Sequence, residues 1–199
     1  MSIKGRIAIT GRPGVGKSSL IGQVVARLRP QGVRVGGMLT QEIRVCGHRV
    51  GFSLTDLASG ETATLAHIHG KRGPTVGKYT VDLDALTQVG VQAILRSLVE
   101  ADLTVIDEIA PMELLAEPFV PAVETALAGD SALLIATHAH VSHPIVHRVR
   151  QELTLYRVKM GNRDRLVEEI AAQYAGCSPS GPASDPMPTE DSGPSPGPD

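Results

Sequence analysis

GRPGVGKSS, residues Gly11 to Ser19, decides how the rest of the chain is read. It spells G-x-x-x-x-G-K-S, with Gly11, Gly16, Lys17 and Ser18 at the defining places, and this is the pattern of a phosphate-binding P-loop. The apolar run Ile7-Ala8-Ile9 before it reads as a buried strand, and Ser18 to Leu28 after it has helical character. Strand, glycine-rich loop and helix in that order are the context the motif requires. The spelling follows from the task. Backbone N–H groups must wrap a polyanion at close range, so side chains are absent at Gly11, Gly14 and Gly16. The helix that follows aims its unpaired N–H groups at the phosphates. Lys17 adds a full positive charge near the β- and γ-phosphates, and the Ser18 hydroxyl can ligate Mg²⁺.

Moving outward, the next informative stretch is LTVIDE, Leu103 to Glu108. It reads as an apolar parallel strand ending in carboxylates, as a Walker B strand does. Asp107 is then expected to hold Mg²⁺ opposite Ser18. Glu108 is placed to orient or deprotonate an attacking water, making it and Lys17 the expected catalytic pair. Ala132 to Ala136 reads as a neighbouring buried strand ending in Thr137-His138, and Thr137 is a candidate contact to the γ-phosphate. Arg148 and Arg163 are candidates to neutralise the transition state. His138, His140, His143 and His147 fit no zinc spacing and read as polar loop residues near the phosphate site.

Between these landmarks, strands and helices alternate. Val33 to Thr40 reads as a strand weakened at Gly36-Gly37. Glu42 to Val45 and Arg49 to Leu54 read as a hairpin. Further strands are expected near Thr64 to His67 and Lys78 to Val81, and a helix from about Leu83 to Glu100 with a possible interruption at Gly90. Helices at Pro118 to Ala128, Ile145 to Arg150 and Arg163 to Tyr174, and a strand at Leu153 to Val158, complete the pattern. The fold class is α/β, a P-loop NTPase fold with a doubly wound, mainly parallel sheet and a β-hairpin addition. Residues 1–175 form the domain. From Gly176 the composition turns to Pro, Ser, Gly and acid, and reads as a disordered tail over residues 176–199.

Composition bounds the function. A net charge of −2 offers no nucleic-acid or anionic-membrane surface. No apolar run is long enough to span a bilayer. Cys46 and Cys177 are isolated and read as free thiols in a reducing cytosol, and no protein partner is evident. Asn162-Arg163-Asp164 departs from the guanine-reading N-K-x-D sequence, and Asp107 to Ala110 lacks the Gly of a GTPase switch.

TGRPGVGKSSL at Thr10, VGGMLTQEIR at Val35, VGKYTVD at Val76, IDEIAPMEL at Ile106 and NRD at Asn162 come in an order that resembles the cancer-related nucleoside-triphosphatase family of small P-loop enzymes. The resemblance covers about residues 3–175. It implies a Mg²⁺-dependent enzyme that hydrolyses nucleoside triphosphates to diphosphate and phosphate with broad base tolerance. It also implies nucleotide-binding segments at Gly11, Arg12, Pro13, Gly14, Val15, Gly16, Lys17 and Ser18, and at Leu103, Thr104, Val105, Ile106, Asp107, Glu108, Ile109 and Ala110. Ala110 stands where the family usually has Gly. Two other readings share the P-loop: a kinase passing the γ-phosphoryl group to a small acceptor, with Gly70 to Lys78 as a short lid, and a non-catalytic nucleotide-binding switch.

Overall fold

The computed structural model describes residues 5–175. The expected tail and Cys177 lie outside the described residues. Nine strands form one sheet in the order β5-β6-β4-β3-β2-β7-β8-β1-β9. Its parallel half contains β2 (Val35–Val45), β7 (Leu103–Ile109), β8 (Ala132–His138), β1 (Arg6–Gly11) and β9 (Thr154–Arg157). The other half is an antiparallel extension of β3 (His48–Asp56), β4 (Thr62–His67), β6 (Tyr79–Val81) and β5 (Thr75–Val76). β1 and β7 are separated by β8 alone, so the ends of both motif-bearing strands face one edge.

The parallel strands are apolar throughout because both faces are covered. On one face Ile7, Ile9, Val105 and Leu134 pack with α1 (Lys17–Leu28) and α6 (Arg163–Tyr174). On the other, Ala8, Ile106, Leu133 and Ile135 pack with α3 (Gln92–Glu100), α4 (Phe119–Ala128) and α5 (Pro144–Glu152). Each fully buried Ile, Leu or Val contributes about 1.5–3 kcal/mol. With no Trp, branched aliphatics supply most of that burial.

Two local expectations are corrected. The strands expected at Val33 to Thr40 and Glu42 to Val45 are a single eleven-residue strand, β2, which starts at Val35, runs beyond the parallel sheet and pairs there with β3 alone. Gly36-Gly37 is not a weak point but a place of close approach. A Cβ on Gly37 would lie 2.0 Å from the Val105 carbonyl oxygen, at a backbone φ of 96°, and one on Gly36 would lie 2.7 Å from the Ser97 side chain. The helix expected over 83–100 starts at α2 (Leu83–Ala85), capped by the Asp82 carboxylate. It widens into a π-helical stretch, Leu86–Val91, where Gly90 lies against Leu54 and Met38, and continues as α3.

Candidate active site

The loop leaves β1 at Gly11 and enters α1 at Lys17. Gly16, the N-cap, has a φ of 97° that a side chain would oppose. Lys17 is 5% exposed. Its ammonium donates to the carbonyl oxygens of Gly11 at 3.2 Å and Arg12 at 3.5 Å. It also lies 3.2 Å from Glu108 Oε2, joining the loop to the end of β7. Between Ile106 and Ile109 the β7–β8 register shifts. The pleat breaks there, at Asp107 and Glu108, and the two side chains take different surroundings.

Asp107 is fully buried. Its Oδ2 accepts from the Thr40 N–H at 3.3 Å, and the Thr40 hydroxyl donates to the Asp107 carbonyl oxygen. Burial pushes its carboxyl up to about 7, against the pull of the Ser18 hydroxyl and with a further push from Glu108. Glu108 is raised by burial too, with Lys17 opposing. A third carboxylate stands with them. Glu113, on a 3₁₀ turn (Glu113–Leu115), is 4% exposed and pushed up to about 8, mainly by burial, with Glu108 and Asp107 adding to it.

Among the described residues, four buried side-chain polar atoms lack a hydrogen bond: Arg6 Nε, Asp107 Oδ1, Glu108 Oε1 and Glu113 Oε2. Three of the four are carboxylate oxygens of this cluster, so the site presents acceptor capacity that the protein alone does not use. Hard oxygen donors at Asp107 and Ser18 match what Mg²⁺ takes.

A cavity of about 1010 Å³ opens over this point, lined by Gly14, Lys17, Ser18, Thr40, Glu108, Ala110, Glu113 and His138, and continues past β2 to β3 and β6. Of the segment Leu103 to Ala110, the residues facing it are Glu108 and Ala110. Leu103, Val105, Ile106 and Ile109 are core, and Thr104 bonds to Ser97. Arg12 is exposed and Val15 packs on the core.

Thr137 does not face the cavity. Its hydroxyl donates to the Ile9 carbonyl oxygen and accepts from Arg150 Nε at 3.2 Å. His138 lines the cavity in its place, held towards its neutral form by burial and by Lys17. Arg148 is not at the site either; it pairs with Glu152 on the exposed side of α5. Arg163 lies beside the loop without lining the cavity: a Cβ on Gly16 would lie 3.3 Å from its Cδ, and its Nε donates to Asp164 at 3.2 Å. The Asn162 side chain ties its own loop, accepting from the Lys159 N–H and donating to the Arg157 carbonyl oxygen. Among the other histidines, His143 caps α5 and His147 contacts Ser142.

The sequence alone assigns no site role to Thr40, Glu113 or Arg150, and places His138 only as a polar residue near the phosphate site. Arg150 donates to Thr10 and to the His138 carbonyl oxygen as well as to Thr137, tying together the ends of β1 and β8. Glu113 carried a signal, as the acid of PMEL five residues after Glu108.

The profile of a family described as NTPase matches residues 6–171. The chain belongs to this NTPase family. The chain is similar to the nucleoside-triphosphatase THEP1 of Methanosarcina acetivorans, 45% identical over 170 residues, covering 85% of this chain and 96% of that one. The protein of the same name from Thermofilum pendens is 44% identical, covering 84% and 93%. The crystal structure of THEP1 from Aquifex aeolicus superposes with a TM-score of 0.72 at 29% identity, covering 82% of this chain and 95% of that one. The solution structure of a human cancer-related nucleoside triphosphatase gives 0.69 at 32% identity, covering 84% and 96%. The NTPase fold expected from the two motifs is therefore the fold observed. Among the described residues no helix is long and apolar enough to cross a membrane.

Proposed function

We propose that this chain is a Mg²⁺-dependent nucleoside-triphosphatase that releases diphosphate and phosphate from several nucleoside triphosphates. The observation that carries the reading is the Lys17–Glu108 pair at 3.2 Å. It brings the phosphate-binding cation and the candidate base into contact at the wall of the cavity a triphosphate would enter.

The pair gives the residues a sequence of tasks. Without substrate, Lys17 neutralises Glu108 inside a buried site. A bound triphosphate competes for the Lys17 ammonium, which then faces the β- and γ-phosphate oxygens. Glu108 loses its countercharge, and burial then makes it a stronger proton acceptor. It holds the attacking water in line with the γ-phosphorus and takes the water's proton. Arg163 beside Gly16 supplies a second cation at the loop. Ser18 and Asp107 are the residues that would hold Mg²⁺, which would supply charge neutralisation to the phosphates. Broad base tolerance is consistent with Asn162, whose amide is spent on its own loop rather than left free to read a base.

The test is phosphate release from ATP, GTP, CTP and UTP, with Mg²⁺ and with EDTA, in the wild type and in Glu108→Gln. All four are expected to be hydrolysed with Mg²⁺ and none with EDTA. Glu108→Gln should lose roughly 10²-fold or more in single-turnover rate, the lower end of what a general base contributes, with nucleotide affinity held within several-fold. Hydrolysis by the variant at the wild-type rate would remove Glu108 from the mechanism. Hydrolysis undiminished in EDTA would remove the metal.

A further inference from the structure

The cavity over the P-loop does not end at the phosphates. Its far wall is the protruding part of β2 with β3 and β6, where Glu42, Arg44, Arg49, Phe52 and Tyr79 line it. This chain has two Phe, three Tyr and no Trp. Phe119 and Tyr174 are buried in the two cores. Phe52 and Tyr79 sit edge to face at 5.2 Å where the first core meets this wall: Tyr79 is buried in that core, Phe52 packs against it, and both line the cavity.

Arg49 is fixed there from several sides. Its guanidinium lies 5.1 Å from the Phe52 ring centroid and 5.8 Å from that of Tyr79. Its Nε donates to the Tyr79 hydroxyl at 3.0 Å, and its NH1 pairs with Glu42 at 2.8 Å. The side chain is still 39% exposed. A solvated surface arginine has no such restraint. This one is a flat, pre-ordered cation with a face on the cavity, which is what a planar ring stacks on. Arg44 lies beside it, and the Lys78 ammonium is 5.5 Å from the Tyr79 centroid. The wall itself carries two cations, Arg44 and Arg49, against the one carboxylate of Glu42 with which both pair, and its net positive charge favours a ligand that is both planar and anionic.

Its position relative to the phosphates matters. In phosphoryl transfer the attacking and leaving oxygens lie in line through the γ-phosphorus. With the diphosphate on the loop at Gly14 to Ser18, attack comes from the side of Glu108, and the cavity continues on that side. From Thr40, beside Asp107, to Arg44 is four residues of strand, about 13 Å. The opposing wall is α1, which presents Gly22 and Ala26 and leaves the space open. At about 1010 Å³ the cavity stands at the upper limit of what one small ligand usually occupies.

We propose that the arginine–aromatic wall is a second ligand site, which takes a nucleoside monophosphate beside the triphosphate, its base on Arg49 and Phe52 and its phosphate towards Arg44. The inference rests on the reading that the triphosphate occupies the loop at Gly11 to Ser18.

The test is calorimetric titration of the full chain, first with Mg²⁺ and the non-hydrolysable analogue AMP-PNP, then, at saturation, with AMP, GMP, CMP and UMP in turn. At least one monophosphate should bind one-to-one without releasing the analogue. Arg49→Lys, which keeps the charge and loses the plane, should weaken it tenfold or more while changing the analogue's Kd less than threefold. Phe52→Leu should act in the same direction and guards against a folding defect in the first variant. No monophosphate binding to the saturated protein would overturn the proposal. So would one-for-one displacement of the analogue, which would mean that the wall reads the base of the triphosphate itself. Wild-type monophosphate affinity in both variants would do the same. Failure of AMP-PNP to bind at all would overturn the phosphate-loop reading and this one with it.

Discussion

Glu113 gives the site its electrical character. Three carboxylates share a buried region with one ammonium, and Glu113 has no cation of its own among the described residues. Its folded carboxyl is pushed up to about 8 from an ordinary value of 4.5. The folded chain thus keeps a proton that the unfolded chain releases. Because stability falls with pH wherever the folded state binds more protons, Glu113 costs stability increasingly as pH rises from about 4.5 to about 8. Asp107, raised to about 7, acts with the same sign over a window beginning near 3.8. Glu113→Gln removes the first contribution. In EDTA, the melting temperature of the variant minus that of the wild type should be higher at pH 9 than at pH 5 by about 3 °C or more, given about 2–4 °C per kcal/mol in a chain of this size. A difference independent of pH would mean that Glu113 does not hold its proton. Asp107 and Glu108 were legible in the sequence because a strand end beside a P-loop assigns them a task. Glu113 showed only as the acid of PMEL, without a task, because a 3₁₀ turn brings it back to the cluster and no periodicity announces that turn.

Among the elements, β2 does most to place the site. It presses on β7 at Gly37, bonds Asp107 through Thr40, then leaves the sheet to form the far wall of the cavity. Gly37→Ala adds a methyl 2.0 Å from the Val105 carbonyl oxygen at a φ of 96°. Overpacking and left-handed strain together should cost about 3 kcal/mol or more. Urea unfolding measures it, and a wild-type midpoint would show that β2 can shift away from β7 freely. The parallel strands were legible because burial on both faces makes them continuous apolar runs. The length of β2 was not. Its outer half alternates like a separate hairpin arm, and a pair of glycines reads as a break when close approach to a neighbouring strand is not yet known. The same limit applied to Thr137. A strand end was foreseeable, but which of Thr137 and His138 turns to the cavity depends on strand register and on the capture of Thr137 by Arg150.

At the scale of the whole molecule, the site is a fastening between elements far apart in sequence. Lys17 comes from the head of α1, Asp107 and Glu108 from β7, Thr40 from β2 and Glu113 from the turn after β7. Arg150 draws β1 and β8 together just behind them. Without a ligand this region is unfavourable to fold, with orphaned carboxylate oxygens and charge confined away from water. A ligand that satisfies those groups should therefore stabilise the entire domain and not the loop alone, since unfolding any of these elements destroys the site. At a hundred times its Kd, a ligand specific to the folded state adds about 2.7 kcal/mol, or roughly 5–10 °C in melting temperature for a chain of this length. We expect that rise with Mg²⁺ and AMP-PNP together, seen as a single transition, and little of it with either alone. Mg²⁺ alone leaves Lys17 on Glu108, and the nucleotide alone must share the Lys17 ammonium with Glu108 beside the buried Asp107. Lys17→Ala should abolish the rise. Calorimetric scans of the wild type and this variant decide it: equal rises in both, or a rise confined to one of two separate transitions, would show that the ligand does not bind where β2, β7 and α1 meet.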